Sequence, residues 1–215
     1  TYNAYAIIYK GEKMKNCVLK SVLALSLAGS FALAQGGFVG VEGGYDFSSK
    51  LKDNDGLSFK DNRPNLGIKG GYDFDVARVY GGYFYHTEAK DNFNYTDNGV
   101  KHDVSIKWTT HKFVVGGDYT PAITDNFKLI AGLYTGISVV NFKARLYTNT
   151  LKATYDTTKA GWLVGTRLGA EYSFDKNNAL EFGIKADRSW YSTDEDLDNL
   201  KSTDIGAYLG YTYKF

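Results

Sequence analysis

Five charged side chains recur at regular spacing in two neighbouring segments of the sequence: Arg167, Glu171, Glu181, Lys185 and Asp187. Within each segment they lie two or four residues apart, so an extended chain would project them all to one face. If the two segments are strands of a small closed barrel, this face is its narrow interior, and charges there must be paired. The chemistry expected is therefore either a salt-bridged plug or a path for protons or ions. We favour the plug, because side chains fill the interior of small barrels.

The partners of these charges depend on the register of the hairpin that joins the two segments. One register places Arg167 opposite Asp187. A register two residues shorter places Arg167 opposite Lys185 and two glutamates opposite each other, and like charges in that position are destabilising. We therefore predict the first register, with an ion pair between Arg167 and Asp187.

The three histidines, His86, His102 and His111, are scattered along the chain. His102 has Asp103 beside it and Ser105 nearby, but such neighbours arise by chance in polar segments. A catalytic triad is recognised by geometry, not by proximity in sequence. The three scattered histidines and the single cysteine, Cys17, also lack the ligand spacing of a zinc site. We predict no catalytic residues, no metal site and no cofactor.

The elements that must position these residues are strands. The 215 residues include 18 Tyr, 13 Phe and 24 Gly but only 2 Pro; glycines and rings disfavour helix, whereas rings suit sheets. Apolar residues alternate with polar or small ones in eight segments, which is the pattern of strands. The clearest segment runs from Trp162 to Phe174, and the others cover residues 39–47, 66–74, 79–88, 104–119, 128–139, 180–190 and 205–215.

The fourth of these segments changes parity midway. Its apolar residues fall on even numbers as far as Trp108 and on odd numbers from Phe113 onward. One extra residue in a strand shifts the alternation to the other face. We therefore predict a β-bulge near His111.

The connections between the segments alternate in length. Short ones are predicted at Asp75–Ala77, Thr120–Asn126 and Asp175–Asn178, and long polar ones at Ser48–Pro64, Ala89–His102, Asn141–Lys159 and Ser192–Ser202. Short turns at one end and long loops at the other are typical of barrels that span an outer membrane.

Volume decides which face of the barrel is the inside. The apolar face carries about five large side chains on each strand, more than the lumen of eight strands can hold. The other face is mainly Gly, Ser and Thr with a few charges, and lipid is the better solvent for the ring-rich face. The prediction is an all-β, eight-stranded antiparallel up-and-down transmembrane β-barrel. A soluble barrel with its apolar face inside is the alternative.

The N-terminal part of the sequence has the pattern of a secretory leader. From Met14 to Ala34, basic residues precede a short apolar stretch and an Ala-Leu-Ala cleavage signal, which is the layout of a signal peptide. We assign residues 14–34 to the signal peptide, residues 35–215 to the barrel, and no function to residues 1–13. The formal net charge is +1, without the basic stripe that would indicate nucleic-acid binding.

The last segment carries the most specific signal. It reads AYLGYTYKF, with rings at alternate positions up to Phe215. Together with the signal peptide and the eight alternating segments, it resembles the small bacterial outer-membrane barrels of the OmpA, OmpX and Opa type. The resemblance implies the bacterial outer membrane as the location. It also makes Tyr211, Tyr213 and Phe215 a signal read by the outer-membrane assembly machinery.

The resemblance further implies the class of function. We expect a monomer with a structural or surface-interaction role, such as membrane integrity or adhesion through extracellular loops. Its expected partners are outer-membrane lipid and lipopolysaccharide, the assembly machinery and host surface molecules. The alternatives are a lipid A-modifying barrel enzyme and a narrow channel for small solutes.

A network of charged side chains is expected in the lumen. It consists of Glu42, Lys69, Arg167, Glu171, Glu181, Lys185 and Asp187, with Tyr208 beside them. Side chains of this size would fill a barrel of eight strands, so we predict that there is no large pore.

Overall fold

Strands make up most of the chain that the structure describes. The computed structural model describes residues 36–52, 58–97, 100–147, 152–191 and 200–215; the predicted signal peptide, residues 14–34, and residues 1–13 lie outside them. The strands are β1 (Gly37–Lys52), β2 (Ser58–Asp73), β3 (Ala77–Asp97), β4 (Val100–Tyr119), β5 (Ala122–Thr124), β6 (Phe127–Tyr147), β7 (Lys152–Ser173), β8 (Asn178–Tyr191) and β9 (Leu200–Lys214).

The eight long strands close into an antiparallel barrel, as predicted. They pair in the order β4-β3-β2-β1-β9-β8-β7-β6, and β4 pairs with β6 to complete the ring. The seam between β1 and β9 runs from Phe38 opposite Lys214 to Lys52 opposite Lys201, which is the pairing that an up-and-down barrel needs in order to close. Where the strands pair all round the ring, none of them has a free edge. The three-residue β5 lies in the turn before β6 and pairs with its start.

The outer wall carries the large apolar side chains. Leu133 is 70% exposed and Leu66 is 64% exposed, which would be costly over so large a surface in water. Ring pairs lie on this wall near the short turns, at Tyr72–Phe74, Tyr172–Phe174 and Tyr213–Phe215. Trp162 stacks on Trp190 towards the other end. Rows of rings that flank an apolar band are the pattern of a barrel in a membrane.

The strands continue well past the apolar band at the end opposite the short turns. The predicted loops over Ser48–Pro64, Ala89–His102 and Asn141–Lys159 were wrong, because these residues are largely in β1–β4, β6 and β7. Within the fourth predicted loop, residues 192–199 lie outside the described residues. We call these strand ends the outer extension: residues 48–52, 58–62, 87–97, 100–109, 140–147, 152–160, 191 and 200–202.

The bulge predicted near His111 does not lie in β4. That strand pairs with β6 without a break from Asp103 to Tyr119, and Trp108 and Val114 both point inward. A register shift lies instead in β3, between His86 and Ala89. The sequence slips in parity because the apolar side chains of β4 lie on the inner face in the outer extension and on the outer face below it.

Candidate functional site

The lumen inside the apolar band is filled with charged side chains, and Glu181 lies at their centre. Its buried carboxylate accepts hydrogen bonds from Lys69 Nζ at 2.6 Å, Arg78 Nη1 at 2.9 Å and Arg167 Nη2 at 2.7 Å. The Thr212 hydroxyl donates a fourth bond at 2.6 Å. Three basic groups around one carboxylate leave an excess of positive charge, so further carboxylates must balance them.

Three more carboxylates supply that balance. Glu42 lies 3.7 Å from Lys69 Nζ and accepts a hydrogen bond from Lys185 Nζ at 2.8 Å. Asp118 pairs with Arg78 and Arg167. Glu171 pairs with Arg78 and Lys214. We call this set the lower cluster: Glu42, Lys69, Arg78, Asp118, Arg167, Glu171, Glu181, Lys185 and Lys214.

The predicted ion pair between Arg167 and Asp187 is wrong. The hairpin of β7 and β8 has the shorter register, with Arg167 opposite Lys185 and Glu171 opposite Glu181. Arg167 reaches Glu181 instead, and its guanidinium lies 4.6 Å from the centre of the Tyr208 ring.

The unfavourable register is tolerated because each charge pairs with side chains that do not lie directly opposite it in the hairpin. Glu181 pairs diagonally with Arg167 and across the lumen with Lys69 and Arg78. Glu171 accepts hydrogen bonds from Arg78 Nη1 at 2.8 Å and Lys214 Nζ at 2.6 Å, whereas the facing Glu181 has its own basic partners. Each glutamate is thus compensated by side chains from other strands, and the repulsion between them no longer decides the register.

Arg78 and Asp118 belong to the lower cluster but were absent from the predicted network. Arg78 is 1% exposed and contacts three carboxylates, among them Asp118 at 3.3 Å. Its parity matches Tyr80 and Phe84 on the inner face of β3. That signal was present in the sequence, but the predicted segment began one residue later, at Val79.

A second group of charges lies above the first, towards the outer extension. Lys112 Nζ donates to Asp187 at 2.6 Å and to Asp204 at 2.8 Å. Arg63 Nη2 lies 3.3 Å from Asp204. Asp46 accepts a hydrogen bond from Asn65 Nδ2 at 2.9 Å. We call this set the upper cluster: Asp46, Arg63, His86, Lys112, Asp187 and Asp204.

Two glycines give the lumen room for these side chains. A Cβ atom at Gly132 would lie 2.0 Å from Asp118 Oδ1, and one at Gly165 would lie 2.3 Å from the Tyr134 ring. Tyr134 in turn donates a hydrogen bond to Asp187 at 3.1 Å. Gly132 is paired with Asp118 and Gly165 with Tyr134 on the adjacent strand, so these small residues leave room on the inner face for the larger side chains beside them.

Above the upper cluster the lumen becomes apolar. Trp108 is 1% exposed there, and the buried Tyr191 hydroxyl lies 2.7 Å from Ser138 Oγ. We call this group the apolar cap: Leu51, Ala89, Ile106, Trp108, Val140 and Tyr191, with Phe142 and Leu200 packed against it. The cap lies inside the outer extension, whose outer wall is polar.

Free space in the lumen is small. A cavity of about 20 Å³ lies between the two clusters and is lined by residues that include Glu42, Lys112 and Asp187. That is room for roughly one water molecule. At this height the buried side chains of the two clusters fill most of the lumen.

The described histidines lie on opposite faces of the wall. His86 Nδ1 lies 2.5 Å from Asp46 Oδ2 in the lumen. His111 points outward, where its Nδ1 lies 2.8 Å from the Tyr83 hydroxyl. The side chain of His102 lies outside those described. Hence His86 and His111 cannot contribute to one site.

The last strand places its predicted signal residues on the outer wall near the short turns. Tyr211, Tyr213 and Phe215 point outward, with the rings of Tyr213 and Phe215 edge to face at 5.2 Å. The Phe215 N–H donates to the carbonyl of Gly37 at 2.9 Å. The terminal ring is therefore held in the sheet as part of the seam.

The described residues contain no helix that could serve as a membrane span. No group of three or more His, Cys, Asp and Glu side chains in those ranges is arranged to hold a metal ion.

Comparison with solved structures finds small barrels. Neisserial surface protein A is 16% identical, with 84% of this chain and 98% of that chain covered and a TM-score of 0.46. Ail, the attachment invasion locus protein of Yersinia pestis, is 17% identical, with 85% and 100% covered and a TM-score of 0.46. OprH of Pseudomonas aeruginosa is 24% identical, with 84% and 99% covered and a TM-score of 0.43.

A comparison with curated proteins finds no match. A sequence profile of the outer membrane protein β-barrel domain, by contrast, matches residues 21–215. This agrees with the closed barrel and its apolar outer wall, and it confirms the predicted fold and the predicted location. The chain belongs to the outer membrane protein β-barrel family and resides in the bacterial outer membrane.

Proposed function

We propose that this protein is a sealed barrel that holds a water-facing surface outside the outer membrane for contacts with other molecules. In this proposal it neither transports solutes nor catalyses a reaction. Its partners are outer-membrane lipid, including lipopolysaccharide, and molecules on host surfaces. Its monomeric barrel reaches the membrane through the assembly machinery, which reads Tyr211, Tyr213 and Phe215.

The observation that carries the proposal is the outer extension. Its strands continue the barrel beyond the apolar band, with polar side chains such as Lys107, Asn141 and Thr158 on the outer wall and the apolar cap inside. Such an extension requires many residues to be ordered, and each of them loses conformational entropy on folding. Anchoring in lipid does not require it, whereas presenting a rigid surface to the outside does.

The two alternative functions have less support. A channel needs an open path, and the lumen contains two clusters of paired charges below an apolar cap. A lipid A-modifying enzyme needs a nucleophile and a base that reach the membrane surface together. His111 is the outward histidine among the described side chains, and its Nδ1 atom is hydrogen-bonded to the Tyr83 hydroxyl.

The test uses the full chain expressed in a Gram-negative host that lacks it. Cells with the protein should adhere to epithelial monolayers more than cells with the empty vector, or should resist detergent better. The purified protein in a planar bilayer should give no porin-sized conductance, and the acyl chains of lipid A should stay unchanged. Porin-sized conductance, altered acyl chains, or unchanged adhesion together with unchanged detergent resistance would refute the proposal.

A control separates display from mere insertion. The mature chain from residue 35 onward contains no cysteine, so single cysteines report position cleanly. Thr158→Cys in the outer extension should react with a membrane-impermeant maleimide on intact cells. Lys176→Cys, in the turn after β7, should react only after the outer membrane is opened. Equal labelling at both positions would mean that the extension does not face outward from the cell.

A further inference from the structure

The ladder between β2 and β3 stops where the outer extension begins. The two strands pair from Asp73 opposite Arg78 to Asn65 opposite His86. Both strands continue beyond that point, but in the part of the chain that the structure describes they no longer pair with each other. Closure of the ring therefore protects the edges of these two strands only below this height.

Two features at the next position explain why the ladder stops. Pro64 has no N–H to donate, and proline is confined to the edges of sheets for that reason. At the same height β3 has its register shift, between His86 and Ala89, and such bulges end the pairing of strands. The Thr87 hydroxyl donates to the Pro64 carbonyl at 3.0 Å, so a side chain takes the place of a ladder hydrogen bond.

The upper part of β3 therefore presents an unpaired edge. Its other edge pairs with β4. The Lys90 N–H points away from β4, because it donates to the Asp61 carboxylate of β2 at 2.8 Å. Backbone groups in an antiparallel pair alternate between the two sides, so the N–H and C=O groups of Asn92, Asn94 and Thr96 point the same way. Within the described ranges, no strand pairs with them on that side.

The Asp61 carboxylate blocks the lower end of this edge. Besides the Lys90 N–H, it accepts a hydrogen bond from the Asn62 N–H at 2.7 Å. Charged side chains at an edge strand hinder the addition of further strands. The block covers one backbone donor on each side of the break, so the edge that remains for a partner begins at Asn92.

A second copy of this chain does not fit the edge. Copies in one membrane keep the same orientation and differ by a rotation about the membrane normal. Barrel strands tilt by about 35–45° from that normal, so the facing edges of two copies would cross at roughly 70–90°. Neighbouring strands in a sheet cross at only about 20–25°. The occupant must therefore approach from outside the membrane.

The outer wall beside the edge is basic. Lys60 of β2 and Lys90 of β3 are exposed on either side of the break. Glu88, which lies near them on β3, is already paired with Lys107 at 2.7 Å. Opposite charges on neighbouring strands stabilise a sheet and like charges destabilise it. A strand with carboxylate side chains at alternate positions fits this surface best.

We propose that the unpaired edge of β3, from Asn92 to Thr96, binds an extended acidic segment of a protein outside the cell, which adds to the sheet as a further strand. Backbone hydrogen bonds supply the affinity of such a contact, and alternate side chains supply its specificity. The inference deepens the surface-contact function proposed above, because it names the kind of partner and the place where it binds. It rests on that function only for the outward orientation of the outer extension.

The experiment uses the refolded full chain in micelles and, as the probe, a ten-residue peptide of alternating Thr and Glu. Amide hydrogen exchange, followed by NMR, reports on single residues. In the free protein the amides of residues 92, 94 and 96 should exchange quickly, whereas those of residues 91, 93 and 95, which point to β4, should exchange slowly. The peptide should slow exchange at the first three positions at least tenfold and leave the other three unchanged.

Methylated peptides separate strand addition from attraction between charges. One carries N-methyl groups on every Thr and the other on every Glu, so each keeps the charge and loses the backbone donors on one side. One of the two should bind roughly a hundredfold more weakly than the parent peptide, because three hydrogen bonds of about fivefold each are lost. The other, methylated on its free side, should bind as the parent does. Equal binding by all three peptides would overturn the proposal.

Asn94→Pro tests the edge in the protein. It removes an N–H that points away from β4, so the barrel should fold, whereas the parent peptide should bind at least tenfold more weakly. The matched control, Asn94→Ala, keeps the N–H and should bind as wild type does. Heat-dependent gel mobility checks folding. If Asn94→Pro does not fold, Lys60→Gln with Lys90→Gln should weaken binding roughly fivefold.

Three further results would overturn the proposal: equal binding by folded Asn94→Pro and Asn94→Ala, slow exchange at residues 92, 94 and 96 without peptide, and dimerisation of the protein that protects these amides. Because the components are purified, failure here leaves the adhesion and detergent tests of the proposed function unaffected. Failure of those tests, in turn, leaves a positive result at the β3 edge standing.

Discussion

The part of the barrel inside the apolar band and the outer extension share one continuous wall but reverse its polarity. Inside the band, Leu133 and similar side chains face outward, and charges such as Glu181 fill the lumen. In the outer extension, Trp108 and the rest of the apolar cap fill the lumen, and lysines face outward. The strand alternation is the same in both regions.

The difference shows that solvent, and not strand geometry, decides which face is apolar. Lipid surrounds the first region, so apolar side chains are favoured outside. Water surrounds the second, where the hydrophobic effect favours burying the same kind of side chain inside. The boundary between the regions lies where the polarity reverses, between the Trp162–Trp190 stack and the outward lysines of the outer extension, such as Lys90 and Lys143.

The largest expected effect is at the centre of the lower cluster. Glu181→Gln removes the charge that compensates Lys69, Arg78 and Arg167. We expect the free energy of unfolding, measured with urea in micelles, to fall by about 3–5 kcal/mol. The same substitution at Glu88, on the outer wall of the extension, should cost less than about 1 kcal/mol. Similar losses at both sites would mean that the lumen is as wet as the outer surface.

The apolar cap should respond to truncation as a soluble core does. Trp108→Ala should lower the free energy of unfolding by about 3–4 kcal/mol, because it removes a large buried side chain and leaves a cavity. Thr109→Ala, one residue away on the polar outer wall, is the control and should change it by less than about 0.5 kcal/mol. A small loss for Trp108→Ala would show that the cap is loosely packed.

The same new charge on the outer wall should have different costs in the two regions. Leu133→Lys places a lysine in the apolar band and should cost about 2–4 kcal/mol in lipid vesicles. Thr109→Lys places one in the outer extension, where we expect almost no change. The comparison needs a bilayer of defined thickness. Equal costs would place the membrane boundary at a different height from the one inferred.

Deleting the terminal residue, Phe215, should affect the stability of the barrel and its assembly in cells to different extents. Deleting Phe215 removes one outward ring and the backbone bond to Gly37, and it should lower stability in micelles by about 2 kcal/mol or less. In cells we expect a larger effect, with lower outer-membrane levels and a degraded periplasmic pool, if the assembly machinery reads this residue. Normal levels in the outer membrane after the deletion would contradict the assembly role.

The smallest effect is expected at Asp75, in the short turn between β2 and β3. A hydrogen bond from Lys128 Nζ at 2.8 Å holds the pKa of Asp75 below its ordinary value. A lowered pKa stabilises the folded state above the unfolded pKa of about 3.9, and this contribution is lost as the pH falls through the folded pKa. Because Asp75 is exposed, Asp75→Asn should cost less than about 0.5 kcal/mol at pH 7 and nothing at pH 2. Urea unfolding at the two pH values measures the difference, and a loss that persists at pH 2 would show that charge is not its cause.

The sequence predicted the fold and the outer wall well, because alternation and ring content are local properties. It predicted ion pairs poorly. Lys69 and Glu181 are 112 residues apart in the chain, and no local pattern links them, whereas Arg167 and Asp187 looked like partners only because they share a hairpin. The long loops were overpredicted because polar outward residues in the outer extension look like loop residues when the apolar residues that alternate with them are few.

The seam between β1 and β9 has a consequence for the order in which the protein can form. The strand made first closes against the strand made last, so the ring cannot form during synthesis. Until then Glu42 of β1 lacks Lys185, which follows 143 residues later, and unpaired charges of this kind must remain hydrated. We therefore expect the emerging polypeptide to stay in water as an open chain, and to become a barrel in one late, cooperative event.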